Sequence, residues 1–361
     1  MNLNADVAIV GGGLSGLALA DRLERAGTDY TLLEARDRLG GRILSKVIDG
    51  AAFDLGPTWF WPVQPRMAAL VNRLGLEVFD QFSDGAIVAE DQLGRVHRNA
   101  GFASMQGSYR IDGGLGRLTS GLAKNLPPDR VNVNVTVTSL TRESDGIVIG
   151  VDCDGKAMRI SANRVVLALP PRIAGATIAF SPELPTTVRR ALANIPTWMA
   201  GQAKILAVYD HPYWRDAGLS GDAMSHRGPM VEVHDASPAR GGPYALFGFV
   251  GTPPGIRNRY RDETLTAARE QLGRLFGREM GNPKYTDFQD WSEDVLTATP
   301  ADHESNGHHA SSPRAQALDG VWEGHVLFAG SEAASQFGGY LEGALEAAED
   351  VAERLITKSR V

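Results

Sequence analysis

The sequence contains almost no cysteine and no long apolar run. Cys153 is the only cysteine among 361 residues, which excludes an intramolecular disulfide and a thiolate metal cluster and favours a cytoplasmic setting. No run of about 18 apolar residues occurs, so we expect no transmembrane helix. The histidines do not fall at ligand spacing, and we therefore expect no metal site.

The chain also lacks a strong excess of either charge. It has 36 Lys and Arg against 43 Asp and Glu, a net charge of −7, and the two signs are interspersed. Such a surface gives no reason to expect a nucleic acid or a membrane as partner. A chain of 361 residues is long enough for a sizeable core and for two domains.

Glycine, by contrast, is concentrated near the start of the chain. Residues 6–10 form a short apolar run, typical of a parallel strand that is buried on both faces. Apolar residues at helical spacing follow over 14–26. Glycines in the spacing G-x-G-x-x-G permit a tight turn, a close approach to a pyrophosphate and close packing of helix on strand. The helix N-terminus then points free N–H groups at the phosphates. The glycines are Gly11, Gly13 and Gly16.

An acidic residue follows the second predicted strand. Glu34 lies about 20 residues beyond the glycine turn, where a carboxylate accepts hydrogen bonds from both ribose hydroxyls. A carboxylate there would repel a 2′-phosphate, which argues against NADP. A further glycine turn with an arginine follows at 40–42. This order predicts a dinucleotide site, with NAD and FAD both open at this point.

Predicted strands that suit one sheet occur at both ends and in the middle of the chain. The segments 146–151 and 156–160 predict a hairpin, and 164–171 predicts a separate buried strand. A strand is predicted over 203–209, and a strand and long helix near the C-terminus. We therefore expect a discontinuous nucleotide domain with a second domain woven through it.

Two blocks resemble the flavin-containing monoamine oxidase family. They are Glu34-Ala-Arg-Asp-Arg-Leu-Gly-Gly-Arg42 with Phe53-Asp-Leu-Gly-Pro-Thr-Trp59, and Phe328-Ala-Gly-Ser-Glu-Ala-Ala-Ser-Gln-Phe-Gly-Gly-Tyr-Leu-Glu-Gly-Ala344. The resemblance covers roughly the whole chain, and the terminal blocks are its most specific parts.

The resemblance implies an α/β fold of the p-hydroxybenzoate hydroxylase type. A Rossmann-like FAD-binding domain would be interwoven with an α+β substrate domain on an antiparallel sheet. The expected FAD-binding domain comprises residues 1–79, 106–190 and 292–361, and the expected substrate domain comprises 80–105 and 191–291.

The same resemblance implies FAD as the cofactor. The cysteine that links flavin covalently in some members would fall near Pro300 and is missing, so non-covalent FAD is expected. Arg42 resembles a phosphate clamp, Val137 the adenine contact, and Leu341 the residue whose N–H meets flavin O2. Together with the residues of the glycine turn, the expected cofactor-binding residues are Gly11, Gly13, Leu14, Ser15, Gly16, Glu34, Ala35, Arg36, Gly40, Gly41, Arg42, Gly56, Pro57, Thr58, Trp59, Val137, Trp291, Gly330, Glu332, Tyr340 and Leu341.

Two residues are expected to be catalytic. Lys204 precedes a Pro-Tyr-Trp block at the spacing of the family's lysine, which holds a water against flavin N5. The alternative is a solvent-facing lysine on an edge strand. Tyr340 resembles one wall of an aromatic cage, and the alternative is a packed core tyrosine. The second wall would fall near Pro300 or Ala301, where no aromatic occurs, so a single wall is expected.

The resemblance implies an enzyme that oxidises an amine C–N bond. Hydride transfer to flavin N5 would give an imine, then a carbonyl and ammonia, and O2 would reoxidise the flavin with release of hydrogen peroxide. Two alternatives remain: a desaturase or dehydrogenase of the same fold acting on C–C bonds, and a flavoprotein scaffold without turnover. The family's helical roof over the substrate is nearly absent, because only residues 80–108 separate Phe79 from Tyr109. The pocket is therefore expected to be open or to be completed by a partner in a homo-oligomer.

Overall fold

Two large sheets organise the chain, of which the computed structural model describes residues 4–303 and 316–358. Its strands are β1 (Asn4–Val10), β2 (Tyr30–Leu33), β3 (Ser45–Ile48), β4 (Ala51–Asp54), β5 (Val78–Asp80), β6 (Ala86–Glu90), β7 (Val96–Arg98), β8 (Tyr109–Ile111), β9 (Val131–Asn132), β10 (Val135–Glu143), β11 (Gly146–Cys153), β12 (Lys156–Leu167), β13 (Ala179–Ser181), β14 (Ala203–Tyr209), β15 (Leu219–Ser225), β16 (Met230–Asp235), β17 (Tyr244–Val250), β18 (Tyr285–Asp290) and β19 (Val326–Phe328). Its α-helices are α1 (Leu14–Ala26), α2 (Pro65–Arg73), α3 (Gly116–Ala123), α4 (Pro171–Thr177), α5 (Thr186–Asn194), α6 (Tyr213–Asp216), α7 (Pro254–Arg259), α8 (Arg261–Phe276) and α9 (Leu341–Lys358).

The first sheet has the strand order β13-β10-β11-β12-β1-β2-β9, with β19 also paired to β12. β1 runs parallel to both β2 and β12. Successive side chains of a strand point to opposite faces. Val7 and Ile9 therefore pack into the core with α1, α3 and α9, whereas Ala8 and Val10 pack into the core on the other face. The predicted strand, glycine turn and helix at the start of the chain are confirmed.

β12 is one strand where two were predicted. It continues from Lys156 to Leu167 and pairs with β11 in antiparallel fashion and with β1 in parallel. Neither glycine nor proline lies between Ile160 and Arg164, so nothing in the sequence ends the strand there. The separate strand predicted over 164–171 was therefore wrong, and its first part extends the hairpin into the parallel sheet.

The second sheet has the order β18-β14-β17-β16-β15-β6-β7. Most pairs are antiparallel, but β15 pairs with β6 in parallel. β14 lies between β17 and β18 and is buried along its whole length. Ile205 and Ala207 pack toward α8, and Leu206 and Val208 pack with Phe53 and Trp59. The sheets follow the segments predicted for the two domains, and the division into domains itself stays a prediction.

A short loop lies where the sequence analysis expected the family's helical roof to be nearly absent. Residues 99–108 connect β7 to β8 without a helix. Ser104 Oγ in this loop donates a hydrogen bond to Glu232 Oε1 at 2.5 Å, so the loop lies against the second sheet. Within 4–303 and 316–358, no helix is both long and apolar enough to cross a membrane.

The closest backbone approach in the glycine turn generates a stability prediction. A Cβ added to Gly16 would lie 1.9 Å from the carbonyl oxygen of Gly11, which requires the backbone to move. We expect Gly16→Ala to lower the free energy of unfolding by about 1–3 kcal/mol in urea titrations. Gly255→Ala is the control, because a Cβ at Gly255 meets nothing within 4 Å. Equal midpoints and slopes for the two variants would contradict the packing argument.

Candidate active site

The two glycine turns form an open cradle beside the start of α1. Gly13 and Gly40 form an isolated parallel bridge. A Cβ added to Gly13 would meet nothing nearer than Cα of Gly41, at 3.9 Å, so the space beside Gly13 is open to a ligand. The first turn of α1 carries no acidic residue, and no side chain caps its N-terminus. Free N–H groups and an open cradle fit a pyrophosphate.

Glu34 closes the cradle at the end of β2. It is only 3% exposed, and its carboxylate accepts hydrogen bonds from the backbone N–H of Gly12 at 2.6 Å and of Arg36 at 2.8 Å. The Arg36 guanidinium lies 3.6 Å from Glu34 Oε1 and donates to Asp294 at 2.8 Å and to Thr297 at 3.0 Å. Arg36 thus ties the turn after β2 to a distant loop, and the contact of Glu34 with a ribose stays a prediction.

Arg42 and Glu332, two residues predicted to contact the cofactor, contact each other. The guanidinium donates to both carboxylate oxygens of Glu332, at 2.6 and 3.0 Å, and to Ser331 Oγ at 2.9 Å. It also donates to the Trp198 carbonyl at 3.1 Å. Burial raises the pKa of Glu332, but Arg42 and Ser331 outweigh it, so the pKa lies below its ordinary value. The fork geometry joins the N-terminal and C-terminal blocks of the site.

Lys204 is buried in the middle of the second sheet. Its Nζ donates to the Gly56 carbonyl at 2.6 Å and to Thr58 Oγ1 at 2.7 Å, and it lies 4.2 Å from the centre of the Phe247 ring. With 5% exposure on a central strand, the alternative of a solvent-facing edge lysine is wrong. Burial lowers the pKa of Lys204 to about 7, Asp54 opposes that shift, and Arg110 adds to it.

Asp54 and Arg110 are buried charges that the sequence analysis missed. Asp54 accepts hydrogen bonds from Ser45 Oγ at 2.5 Å and from the Leu115 N–H at 3.0 Å. Burial raises the pKa of the Asp54 carboxyl and lowers the pKa of the Arg110 guanidinium. Asp54 lies inside the block that resembles the family and could have been noticed there. The sequence around Arg110 offers no comparable signal.

Tyr340 has more aromatic neighbours than expected. Its ring centre lies 6.4 Å from that of Trp198, 6.5 Å from that of Trp61 and 6.4 Å from that of Phe337. Three aromatic rings therefore surround Tyr340, and the single aromatic wall facing the substrate stays a prediction. Trp61 follows Trp59 in the sequence and could have been weighed, whereas Trp198 precedes β14 and reaches Tyr340 only through the tertiary structure.

The turn that lacks the expected aromatic lies beside the segment of Trp198. Ala301 belongs to a single 3-10 turn, Pro300–Asp302, whose Asp302 accepts a hydrogen bond from the Thr197 N–H at 3.1 Å. Trp198 follows directly in the chain. An aromatic ring therefore lies in this neighbourhood, on a different segment from the one where the family's second aromatic would fall.

The remaining predicted residues take backbone or packing positions around the same region. Val137 lies two residues after Val135, whose N–H donates to the Glu34 carbonyl at 2.9 Å. Trp291 Nε1 donates to the Leu55 carbonyl at 3.1 Å. Gly56 and Gly330 pack directly against neighbouring backbone. A Cβ on Gly56 would lie 1.9 Å from the Arg42 carbonyl oxygen, and a Cβ on Gly330 would lie 2.4 Å from the Leu169 carbonyl oxygen. Leu341 is the first residue of α9, and Ser15 Oγ donates to the Ala329 carbonyl. The roles of these residues toward a cofactor stay predictions.

Fold and site together define a dinucleotide-binding enzyme with a buried lysine in its second sheet. A parallel sheet leads into the glycine cradle, an acid closes it, and a second sheet carries Lys204 toward the loop at 56–58. Among the described residues no group of His, Cys, Asp and Glu is suited to a metal ion.

The comparisons with known proteins identify the family. The model of the family described as flavin containing amine oxidoreductase matches residues 14–105 and 96–356, and the chain belongs to this family. It is an FAD-dependent amine oxidase, an oxidoreductase.

Individual relatives are distant but similar over their full lengths. The chain is 23% identical to "Probable flavin-containing monoamine oxidase A" of Dictyostelium discoideum, over 98% of each chain. It is 24% identical to the putrescine oxidase of Kocuria rosea, over 95% of this chain and 93% of that one. The solved structure of cyclohexylamine oxidase from Brevibacterium oxydans IH-35A matches 99% of this chain and 100% of its own, at 20% identity and a TM-score of 0.82, which shows the shared fold.

The same comparisons locate what this chain lacks. The alignment with the Dictyostelium protein extends over 460 residues although the chain has 361, so the relative carries segments that are missing here. The family model matches in two segments that overlap at 96–105, a stretch that contains β7 and the first part of the loop at 99–108. Both observations agree with the prediction that the roof segment is short.

The depressed pKa of Lys204 generates a prediction about stability and pH. In the unfolded chain the pKa of Lys204 has its ordinary value of 10.5, whereas in the folded chain the pKa is about 7. Between these values the unfolded state binds more protons, so rising pH stabilises the fold. We expect the free energy of unfolding of the wild type, relative to that of Lys204→Met, to rise by roughly 2 kcal/mol between about pH 7 and pH 9. Urea unfolding with FAD in excess measures both. If the free energies of unfolding of the two proteins change with pH in the same way over this range, Lys204 keeps its proton in the folded state.

Proposed function

We propose that the chain oxidises a neutral amine between Lys204 and Tyr340 to an imine, which water hydrolyses to a carbonyl and ammonia. O2 is the acceptor and hydrogen peroxide the second product. Bound FAD supplies the acceptor for the hydride that the amine carbon loses. The single observation that carries this assignment is Lys204, a buried amine with its pKa lowered to about 7 and directed at the loop that follows β4.

Lys204 can accept as well as donate near neutral pH. A neutral amine has two hydrogens and one lone pair. The Gly56 carbonyl and Thr58 Oγ1 take up two hydrogens. The lone pair of the neutral form then remains to accept a hydrogen bond from a water or to take a proton at Nζ. A lysine held in this way positions a water without adding a fixed positive charge that would repel a protonated amine.

The aromatic residues around Tyr340 orient the substrate and keep water away from it. Trp61 and Trp198 lie at about the same ring distance from Tyr340, so the amine meets apolar faces on several sides. The negative faces of aromatic rings attract the positive end of an amine dipole. This arrangement favours amine oxidation over the C–C desaturase alternative, because a C–C substrate has no amine for the lysine and the aromatic faces to orient.

The residues of the cradle fit FAD held without a covalent bond. The open space beside Gly13 fits the pyrophosphate, and Glu34 fits the ribose. The only cysteine, Cys153, ends β11 in the hairpin with β12. A cytoplasmic setting and a homo-oligomer that completes the open pocket belong to the same proposal.

Release of the cofactor tests the non-covalent link. We expect acid precipitation of the purified protein to leave all yellow colour in the supernatant. Glu34→Gln removes the carboxylate charge, and we expect FAD affinity to fall by about 1.5–3 kcal/mol, measured by titration of apoprotein with FAD. Colour that stays with the precipitate would refute the non-covalent claim, and unchanged affinity in Glu34→Gln would remove Glu34 from the cofactor site.

Lys204→Met tests the proposed chemistry. We expect the variant to keep its FAD and to reduce it with amine at least about a hundredfold more slowly in anaerobic stopped-flow measurements. Lys156→Met is the control, because Lys156 is an exposed lysine of the β11–β12 hairpin. Peroxide release by the wild type over a panel of primary amines, polyamines and amino acids tests the reaction itself. Equal reduction rates in both variants would reject the role of Lys204, and a wild type that releases no peroxide would reject O2 as acceptor.

A further inference from the structure

A buried acid precedes the loop that holds Lys204. Asp54 ends β4, and Gly56, whose carbonyl accepts a hydrogen bond from Lys204 Nζ at 2.6 Å, follows two residues later. Asp54 is 6% exposed, and its carboxyl accepts hydrogen bonds from Ser45 Oγ at 2.5 Å and from the Leu115 N–H at 3.0 and 3.2 Å. Burial raises the pKa of this carboxyl, and these donors oppose the rise. Donors on both oxygens favour the ionised form.

A buried base lies at the other end of the same loop. Arg110 is the central residue of β8, and the neighbouring Tyr109 exchanges two backbone hydrogen bonds with Phe60, at 2.8 and 3.1 Å. Arg110 is 4% exposed. Its guanidinium donates to the carbonyls of Ala236 at 2.9 Å and of Ser237 at 2.7 Å. Because these two acceptors carry no formal charge, the guanidinium keeps its positive charge inside the protein.

One apolar cluster connects the acid, the base and the lysine. Its buried members are Phe53, Leu55, Trp59, Leu206, Val208, Ala236, Ala245 and Phe247. Two of these residues flank Asp54 in the chain, and Arg110 donates to the carbonyl of a third, Ala236. Lys204 Nζ lies 4.2 Å from the ring centre of a fourth, Phe247. Charges that border an apolar region are weakly screened, so they act on one another over longer distances than charges in water.

The other acids on the strands around β14 each contact a base of their own. The contacts are Asp235 with Arg215, Asp290 with Arg257, Asp287 with Lys46, and both Asp222 and Glu232 with His234. The hydroxyl of Tyr285 on β18 also accepts a hydrogen bond from Lys46 Nζ, at 2.7 Å. Asp54 and Arg110 have neutral partners instead. Burial lowers the pKa of Lys204 most, Asp54 raises it and Arg110 lowers it.

We propose that Asp54 and Arg110 are positioning residues that act through Lys204: their charges balance each other, so Lys204 has no counter-ion of its own and reacts in its neutral form. Alone, Asp54 would hold a proton on Lys204, whereas Arg110 alone would repel one. The inference rests on the proposed function, because that reaction is what uses the neutral lysine. Removal of the acid and removal of the base must therefore shift one property of the protein in opposite directions, which damage to the fold does not do.

The pH dependence of flavin reduction in the holoenzyme tests this pair. With saturating amine and without oxygen, we expect the wild-type rate to rise through about pH 7 as Lys204 loses its proton. In Arg110→Met we expect this rise to move up by at least about one pH unit, because Asp54 then favours the lysine proton. In Asp54→Asn we expect it to move down by about as much, because Arg110 then repels that proton. The ionisation of the amine substrate is common to all variants and cancels in the comparison.

Two further variants separate charge from damage to the fold. In the double variant, Asp54→Asn with Arg110→Met, the two shifts oppose each other, and we expect the rise to return to within about half a pH unit of the wild type. The double variant leaves no unbalanced buried charge, which favours its folding. Arg274→Met is the matched control, because it takes an arginine from the buried Glu90 on β6, four strands away from β14, and we expect no shift there. If Arg110→Met does not fold, Asp54→Asn and the double variant decide the question.

Urea unfolding provides a second measurement that needs no turnover. Its readout is the free energy of unfolding of each variant relative to the same variant with Lys204→Met added. In the wild-type background this difference should rise between about pH 7 and pH 9. With Arg110→Met the rise over this range should be smaller, because the pKa of Lys204 is then higher. With Asp54→Asn the rise should begin below about pH 7, because the pKa of Lys204 is then lower.

The two measurements distinguish failure of this inference from failure of the proposed function. Shifts of the same sign in the two single variants would overturn the charge balance, as would an Asp54→Asn profile equal to that of the wild type. Either result, obtained with an amine that reduces the flavin, would leave amine oxidation in place. Opposite shifts in unfolding, without reduction of the flavin by any amine, would support the charge balance and reject the proposed reaction.

Discussion

The pairing of Arg42 with Glu332 is the interaction on which the assembly of the site depends. It joins residues almost three hundred positions apart in the chain, and the Trp198 N–H also donates to Glu332 at 3.2 Å. The glycine turn, the start of the C-terminal block and the segment that leads into β14 therefore meet at one buried carboxylate. Removal of one partner of such a pair leaves a buried charge and costs about 3–5 kcal/mol.

The second sheet works as an ordered array of chemical groups on one face. Lys204 offers an amine whose pKa is lowered to about 7, Phe249 and Trp59 offer apolar rings, and Glu232 offers a carboxylate. A buried lysine is costly unless it is hydrogen-bonded, and the sheet places it where a carbonyl and a hydroxyl receive its hydrogens. A surface lysine would be screened by water, whereas the Lys204 amine lies among aromatic rings and is only 5% exposed.

The short loop at 99–108 changes how this array meets the solvent. A long roof would bury the sheet face, whereas here Ser104 is the loop residue that hydrogen-bonds Glu232. Phe102 in the same loop is 64% exposed, which is unusual for a large apolar residue.

Local sequence determined the nucleotide half of this protein. Glycine spacing, the apolar run before it and the acid after it each act within about 30 residues, so the turn at Gly11, the helix from Leu14 and the position of Glu34 could be predicted from the chain. The strand from Ala203 and the burial of Lys204 were also predictable, because an uninterrupted apolar run surrounds the lysine. Only the tertiary structure decided the rest of the site. β15 and β16 contain Ser, Asp, Glu and His, whose burial depends on partners across the sheet, and no short-range pattern reveals them. Trp198 meets Tyr340, and His234 meets Asp222 and Glu232, through strand register and through contacts between distant segments, which spacing along the chain does not encode.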